Sequence, residues 1–418
     1  MATSQLLQLA QQIQDLTSKI VSDLSAHQIP EPNFTPSSTE IPETPETAHL
    51  RASLNDAATD LLRLVNGPRN DARNRICTLY DIVAWQAACE FGFFDAVPED
   101  GGASISEIAV RANVDEERVG RFIRILATDR IFEEKEPGRF WHTARSVVFL
   151  RDRQIRDAVH YQVDEYFQAA AQTATSVKQT PDGFTLEKNP FVASHGAPLF
   201  QYYKQNPTLA ARFASAMAGI GRMERQFDDL KDSYAWATLP KGKLIDIGGG
   251  NGHYAIALAR TYPNLEITVQ DSLEMMAAAS LQDLSDLSGR VSFMQHNFFT
   301  AQPIACASAY LLRQVTHNWS DEDCIRIFRG IVPALEKSAP GTPLLVNDVV
   351  LPRAGEVGLY HERRLRQIDI MMMVALGAGQ RSEGQFGELL RRADERLKIV
   401  GIHGTGNLSL MEVHLVRE

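Results

Sequence analysis

The stretch Leu244-Ile245-Asp246-Ile247-Gly248-Gly249-Gly250-Asn251-Gly252, followed by the apolar periodic run His253 to Ala259, decides the fold. An apolar run carrying one acid and ending in glycines reads as a buried parallel strand, a turn without side chains and the start of a helix. Glycine permits positive φ and close backbone approach, and a helix N-terminus offers unpaired N–H groups. The stretch is therefore expected to hold a nucleotide-type cofactor.

Working outward, the pattern from residue 242 alternates strands and helices. The predicted strands are Lys243 to Ile247, Glu266 to Gln270, Val291 to Gln295, Ala307 to Arg313 and Pro343 to Val349, with helices after the first four. That is a doubly wound α/β sheet, with the cofactor at the carboxyl ends of the first strands. Asp271 falls at the end of the second strand, where a carboxylate grips ribose hydroxyls. A glycine loop alone fits NAD, FAD or S-adenosylmethionine. The acid inside the first strand, Asp246, tips the choice toward S-adenosylmethionine.

The N-terminal half is helical. Leu6, Leu9, Ile13, Leu16, Ile20 and Leu24 recur at helical spacing, and residues 29 to 48 are rich in Pro, Thr, Ser and Glu without apolar periodicity. This predicts an amphipathic helix on an extended linker. A homologous subunit is the preferred partner for that helix, the chain's own body the other candidate. Residues 50 to 97 are again helical. The run Ile105-Ser-Glu-Ile-Ala-Val110, a turn at Asn113-Val114-Asp115 and a helix carrying Val119, Phe122, Ile125 and Leu126, then Ile131 to Glu134 and Arg139 to His142 separated by Glu136-Pro137-Gly138, read as a winged helix.

Its would-be recognition stretch, Asp115 to Arg121, carries three acids against two arginines, whereas phosphate contacts need clustered positive charge. The expectation is a winged helix used for packing and dimerisation, with no nucleic-acid partner. Residues 151 to 236 form a helical segment whose aromatics, methionines and histidines include candidate pocket residues His160, Tyr161, Phe200 and Met217. The expected domains are thus a helix (1–28), a linker (29–49), a winged-helix dimerisation domain (50–150), a helical pocket segment (151–236) and a Rossmann-like catalytic domain (237–418).

Composition sets the outer bounds. A chain of 418 residues with 44% hydrophobic residues can bury a large core, and a net charge of −10 without long basic runs argues against nucleic acid or anionic membrane as partner. Four scattered cysteines show neither zinc-type spacing nor a disulfide framework, and no stretch reaches the apolar length of a membrane helix. A soluble, cytoplasmic protein is expected. No metal cluster stands out, since His142, His160 and His195 lie far apart among aromatics.

The segment Tyr310-Leu-Leu-Arg313-Gln314-Val-Thr-His317-Asn-Trp319-Ser-Asp-Glu-Asp-Cys324 resembles that of the O-methyltransferases that act on small phenolic and polyketide compounds, fungal enzymes above all. The resemblance runs from about residue 75 to 416 and includes Asn297-Phe298-Phe299 and Arg381-Ser382-Glu383. It implies a homodimer, S-adenosylmethionine as methyl donor and His317 as general base. It also implies cofactor contacts from Asp246, Gly248, Gly250, Gly252 and Asp271, with Asn297, Phe298, Arg313 and Trp319 around the adenine. Asn297 stands where the family usually has Asp. Of the two acids that support the family's histidine, the first is kept as Asp348, one methylene shorter than the common Glu, and the second becomes Gln380.

Some fungal proteins similar to this family hold S-adenosylmethionine without spending its methyl and catalyse dehydration or pericyclic ring closure. Arg313, Gln314, His317, His160 and Gln380 would be the polar set for that reading, with a polyketide or pyridone substrate. A cofactor-binding scaffold without chemistry is a third reading, and the retained His317 and Trp319 count against it.

Overall fold

The computed structural model describes residues 4–273, 283–404 and 407–417, beginning with helix α1 (Gln5–Ala26) and helix α2 (Pro45–Glu90). Thr44 caps α2 through a capping box with Thr47, and Pro45 enters at the first turn, where a missing N–H costs nothing. Gly67 at φ 65° and ψ 170°, followed by Pro68, breaks the helical path in the middle of α2. By contact the chain separates into two units: residues 1–168, 203–220 and 357–363, and residues 169–202, 221–356 and 364–418. Residues 151–236 are shared between them.

In the first unit α1 lies against α2 of its own chain. Ile20 and Leu24 are buried with Leu50, and Leu16, Ile29, Ile41 and Leu54 pack around them. The C-terminal end of the apolar stripe is thus covered by the chain's own body, the second candidate partner, while Leu6 at its other end stays 42% exposed. The linker is extended but held: Phe34 O accepts from Ala144 N at 3.1 Å, and the Arg130 guanidinium sits 4.5 Å from the Phe34 ring centre. A strap fixed in this way keeps α1 beside α2.

The winged helix forms as expected. Strands β1 (Ala103–Ser104), β2 (Phe132–Glu136) and β3 (Arg139–His142) pair antiparallel in the order β1-β3-β2, beside helices Ile105–Ala112 and Glu116–Thr128. Phe93, Phe94, Ile108, Val119, Ile123, Phe132 and Phe140 make its core. Within the would-be recognition stretch, Arg118 pairs with Asp115 and Arg121 with Glu117. Further along α2, Ile76, Leu79 and Tyr80 are exposed large side chains.

In the second unit the five predicted strands appear as β4 (Lys243–Ile247), β5 (Glu266–Asp271), β6 (Val291–Gln295), β7 (Ala309–Arg313) and β8 (Leu344–Asp348), all parallel. Short strands β9 (Val350–Leu351) and β10 (Arg381–Ser382) pair apart from the main sheet. Two further strands, β11 (Leu397–His403) and β12 (Ser409–Leu415), were not anticipated; β12 runs antiparallel to β8, and β11 to β12. The sheet order β11-β12-β8-β7-β4-β5-β6 reverses between β4 and β7, which makes the crevice at their carboxyl ends the place for a ligand. The helix expected after β5 lies outside the described residues. Helices His253–Thr261 and Asp321–Lys337 follow β4 and β7, whereas residues 296–308 after β6 run as turns and irregular chain, so the helix expected after the third strand does not form. No helix among the described residues is long and apolar enough to cross a membrane.

Candidate active site

The glycine loop turns through positive φ at Gly248 (74°), Gly250 (61°) and Gly252 (78°). Side chains are excluded by space as well as by torsion. A methyl on Gly248 would stand 2.8 Å from Val315 Cγ2, and one on Gly252 2.7 Å from Phe293 Cε1. The loop is pinned to β5: Gly248 N and Gly249 N donate to Gln270 O at 2.7 and 3.2 Å, and Gly250 N donates to Asp271 Oδ2 at 2.8 Å. Asp271 thus sits against the loop at the strand end. Gly252→Ala is expected to cost about 1–3 kcal/mol from the left-handed backbone and the clash together. Thermal unfolding, read beside cofactor affinity, checks it.

Asp246 is buried at 3% exposure, and its Oδ1 has no hydrogen-bond partner among the described residues. Burial pushes its carboxyl up from 3.8 to about 7, against the pull of Arg313. An orphaned carboxylate beneath a glycine cradle fits a ligand that brings positive charge, as S-adenosylmethionine does. Arg313, also buried, lies 3.5 Å from the ring centre of Tyr254 and donates to Gln226 Oε1 at 3.1 Å and Gln314 Oε1 at 2.5 Å. Burial pulls its guanidinium below its ordinary range. Tyr254 OH also donates to Gln226 Oε1, at 2.9 Å. Neither Tyr254 nor Gln226 was anticipated as part of the site, because their convergence on Arg313 joins three distant segments.

Asn297 Oδ1 accepts from Phe299 N at 3.1 Å, so the amide expected to face adenine also fastens its own turn. Phe298 and Phe299 meet the Trp319 ring edge-on, with ring centres 5.8 and 4.8 Å away. Phe298 and Trp319, two of the side chains expected around the cofactor, thus stand together with Phe299.

His317 sits in a single 3-10 turn, Thr316–Asn318, just past the end of β7. Its Nδ1 is 2.6 Å from Asp348 Oδ1, at the end of β8. A carboxylate only accepts, so in the neutral ring the proton is on Nδ1 and Nε2 keeps its lone pair. Asp348 is fully enclosed, and burial alone would raise its carboxyl. The facing His317 and hydrogen bonds from His317, Thr316 and Val349 N instead hold it below the usual carboxylate value. Arg381, 5% exposed, closes the turn from the other side, donating to Thr316 O at 2.9 Å and Trp319 O at 2.8 Å and pairing with Asp321.

Gln380 makes no hydrogen bond to His317; its backbone N donates to Asp369 Oδ1 at 2.8 Å, and its buried Oε1 has no partner among the described residues. The remaining pocket candidates are divided. Tyr161 is 1% exposed, lies edge-on to Tyr166 and Phe213 in the first unit, and its OH accepts from Gln162 Nε2 at 2.6 Å. Met217 and Phe200 are 38% and 56% exposed.

His160 stands with Glu90 and Asp164, a grouping with metal-ligand potential that sequence separation concealed. Arg212 fills it instead, 2.9 Å from His160 Nε2 and 2.7 Å from Asp164 Oδ2, and a guanidinium there repels a second cation. His142 is a satisfied core histidine between Ser146 Oγ and the carbonyls of Phe94 and Val97.

Residues 178–394 match the O-methyltransferase domain, and residues 76–152 match the O-methyltransferase dimerisation domain. The O-methyltransferase sol2 of Alternaria solani is 44% identical over 415 residues, covering 99% of this chain and 96% of its own. The O-methyltransferase pyvH of Aspergillus violaceofuscus is 32% identical, covering 96% of this chain and 95% of its own. In fold, the chain is similar to the crystal structure of OxaC (TM-score 0.76, 20% identity, 99% of this chain and 100% of that one). It is also similar to LepI in complex with S-adenosylmethionine (TM-score 0.73, 20% identity, 97% and 100%). Two domain matches and relatives aligned nearly end to end lead to one conclusion: the chain belongs to the S-adenosylmethionine-dependent O-methyltransferase family.

Proposed function

We propose that this enzyme methylates a phenolic hydroxyl of a small secondary metabolite, with His317 as general base, and that it works as a homodimer through its N-terminal domain. The observation that carries the reading is the His317–Asp348 pair at the end of β7, adjoining the glycine loop through Val315. S-adenosylmethionine supplies the electrophilic methyl group. The chain's part is to remove a proton from the acceptor as its oxygen becomes nucleophilic, and to hold that oxygen in line. A phenol with a pKa near 10 is within reach of an imidazole base, whereas an aliphatic alcohol is far less acidic. Asp246, the glycine loop, Asp271 and Arg313 are assigned to the cofactor, Gln314 to the acceptor.

A second reading has the methyl retained while polar side chains promote a ring closure. It is favoured by Gln380, a neutral amide whose buried oxygen has no partner among the described residues, where a second carboxylate is common. Incubation with methyl-labelled S-adenosylmethionine and a panel of small phenols and polyketide pyridones tests both. Label in the product is expected; an isomerised product without label would establish the second reading, and neither outcome would sink both. Gln380→Glu should leave methyl transfer no faster, because His317 Nδ1 already has its carboxylate in Asp348. The substitution buries an unpaired charge, so a loss of thermal stability is expected.

Asp246 predicts a pH dependence. A carboxyl that titrates at about 7 in the free protein is favoured as carboxylate by a cationic ligand, so binding releases a proton. Affinity for S-adenosylmethionine should rise with pH through neutrality and level off above it, and Asp246→Asn should flatten the profile. Calorimetry across pH 6 to about 8.5 reads this directly. In the free protein the sign is opposite. The folded state keeps a proton that the unfolded chain has lost, so stability contributed by this group falls as pH climbs from 3.8 to about 7.

A further inference from the structure

Asp348 is 1% exposed, and each of its oxygens has its own pair of donors. Oδ1 accepts from His317 Nδ1 at 2.6 Å and Val349 N at 3.0 Å; Oδ2 accepts from Thr316 Oγ1 at 2.6 Å and His317 N at 3.2 Å. Thr316 is the one member of this set that is neither the proposed base nor a backbone group. It is wholly buried, and its own carbonyl is fixed by Arg381 Nη1 at 2.9 Å and Cys324 Sγ at 3.2 Å. Its hydroxyl therefore has a set origin and a single target.

We propose that Thr316 is a positioning residue whose hydroxyl locks the rotation of the Asp348 carboxylate, so that Oδ1 stays in line with His317 Nδ1 and the Nε2 lone pair stays directed at the acceptor. The terminal torsion of an aspartate is broad and roughly two-fold, so the bond skeleton does not select an orientation. Donors on both oxygens do. Without the hydroxyl, Oδ2 keeps only the longer backbone contact, and in so enclosed a position it loses its strongest partner outright. The carboxylate then turns toward whatever donors remain, and the imidazole follows it. The kinetic side of this inference rests on His317 being the base; the hydrogen-bond side does not.

The test uses the full chain with S-adenosylhomocysteine bound, labelled with ¹⁵N-histidine, in three forms: wild type, Thr316→Val and Thr316→Ser. The His317 resonance is identified by its loss in His317→Asn. The wild type should show a low-field, slowly exchanging Nδ1 proton. Thr316→Val should lose or broaden that proton and lower kcat about tenfold, the rate equivalent of one charge-assisted hydrogen bond. Its affinity for S-adenosylhomocysteine should stay within about twofold, because the residue faces Asp348 rather than the glycine loop. Thr316→Ser should restore both signals.

If Thr316→Val does not fold, Thr316→Ala carries the same readouts. An unchanged Nδ1 proton in the hydroxyl-free variant would overturn the proposal, whatever the turnover. A lost proton with unchanged kcat would uphold the lock and overturn His317 as base.

Discussion

His317→Ala should lower kcat by about 10²–10⁴-fold, the range a positioned general base contributes, while leaving S-adenosylmethionine binding nearly unchanged. The asymmetry follows from where the residue sits. Its Nδ1 is taken up by Asp348, its backbone N by the same carboxylate, and no hydrogen bond joins it to the glycine loop or Asp271. Steady-state kinetics beside calorimetric titration with the cofactor separate the two quantities. A fall of less than about tenfold would be too small for a base and would assign the rate to alignment alone.

Asp348→Asn should come close to the same loss. An amide presents one oxygen and one NH₂ where the carboxylate presents two acceptors. Placed with its NH₂ at the Oδ1 position, it faces Val349 N–H and forces His317 to give up the proton on Nδ1, so that Nε2 carries the proton and cannot accept one. Placed the other way, its NH₂ faces His317 N–H. Both orientations leave buried donors opposed. An equivalent change in catalytic triads, which imposes the wrong tautomer, costs about 10⁴-fold, and a loss of at least about 10²-fold is expected here.

Because the two residues act as one unit, the double variant should be little worse than His317→Ala alone. Additive losses would break the pairing. Acid stability gives an independent check: the Asp348 carboxyl is held below 3.8 in the folded state. The stability it contributes is therefore full above that value and lost as pH falls through its lower folded value, and Asp348→Asn should remove that part of the acid transition.

The parallel sheet was legible because buried parallel strands are written as apolar runs of the right length, each closed by a turn signal. Lys243 to Ile247 and Val291 to Gln295 were read to the residue. β11 and β12 were not, since an antiparallel pair with one half-exposed strand has no local mark of which sheet it joins. The site divides the same way. Glycines, Asp271 and His317 announce themselves by their spacing, whereas Tyr254 and Gln226 matter only through Arg313, which no spacing reveals. Thr316 had one available signal: a hydroxyl beside a strand-end histidine. His160 and Tyr161 were read by residue type, and an ion-pair network and an aromatic core had equal claim to those types.

The placement of β12 has a consequence for how the enzyme comes into being. β12 lies between β8 and β11, with Ser409 opposite Asp348 and its carbonyl holding the Asn347 amide at 3.1 Å, across 62 residues of chain. During synthesis the glycine loop and the His317 turn leave the ribosome well before that neighbour exists. β8 has until then one flank unpaired, and its closing pairing is of long sequence separation, the slow kind. A nascent chain should thus carry β8 as an open edge until β12 has been made, and chaperones would meet that edge in the interval.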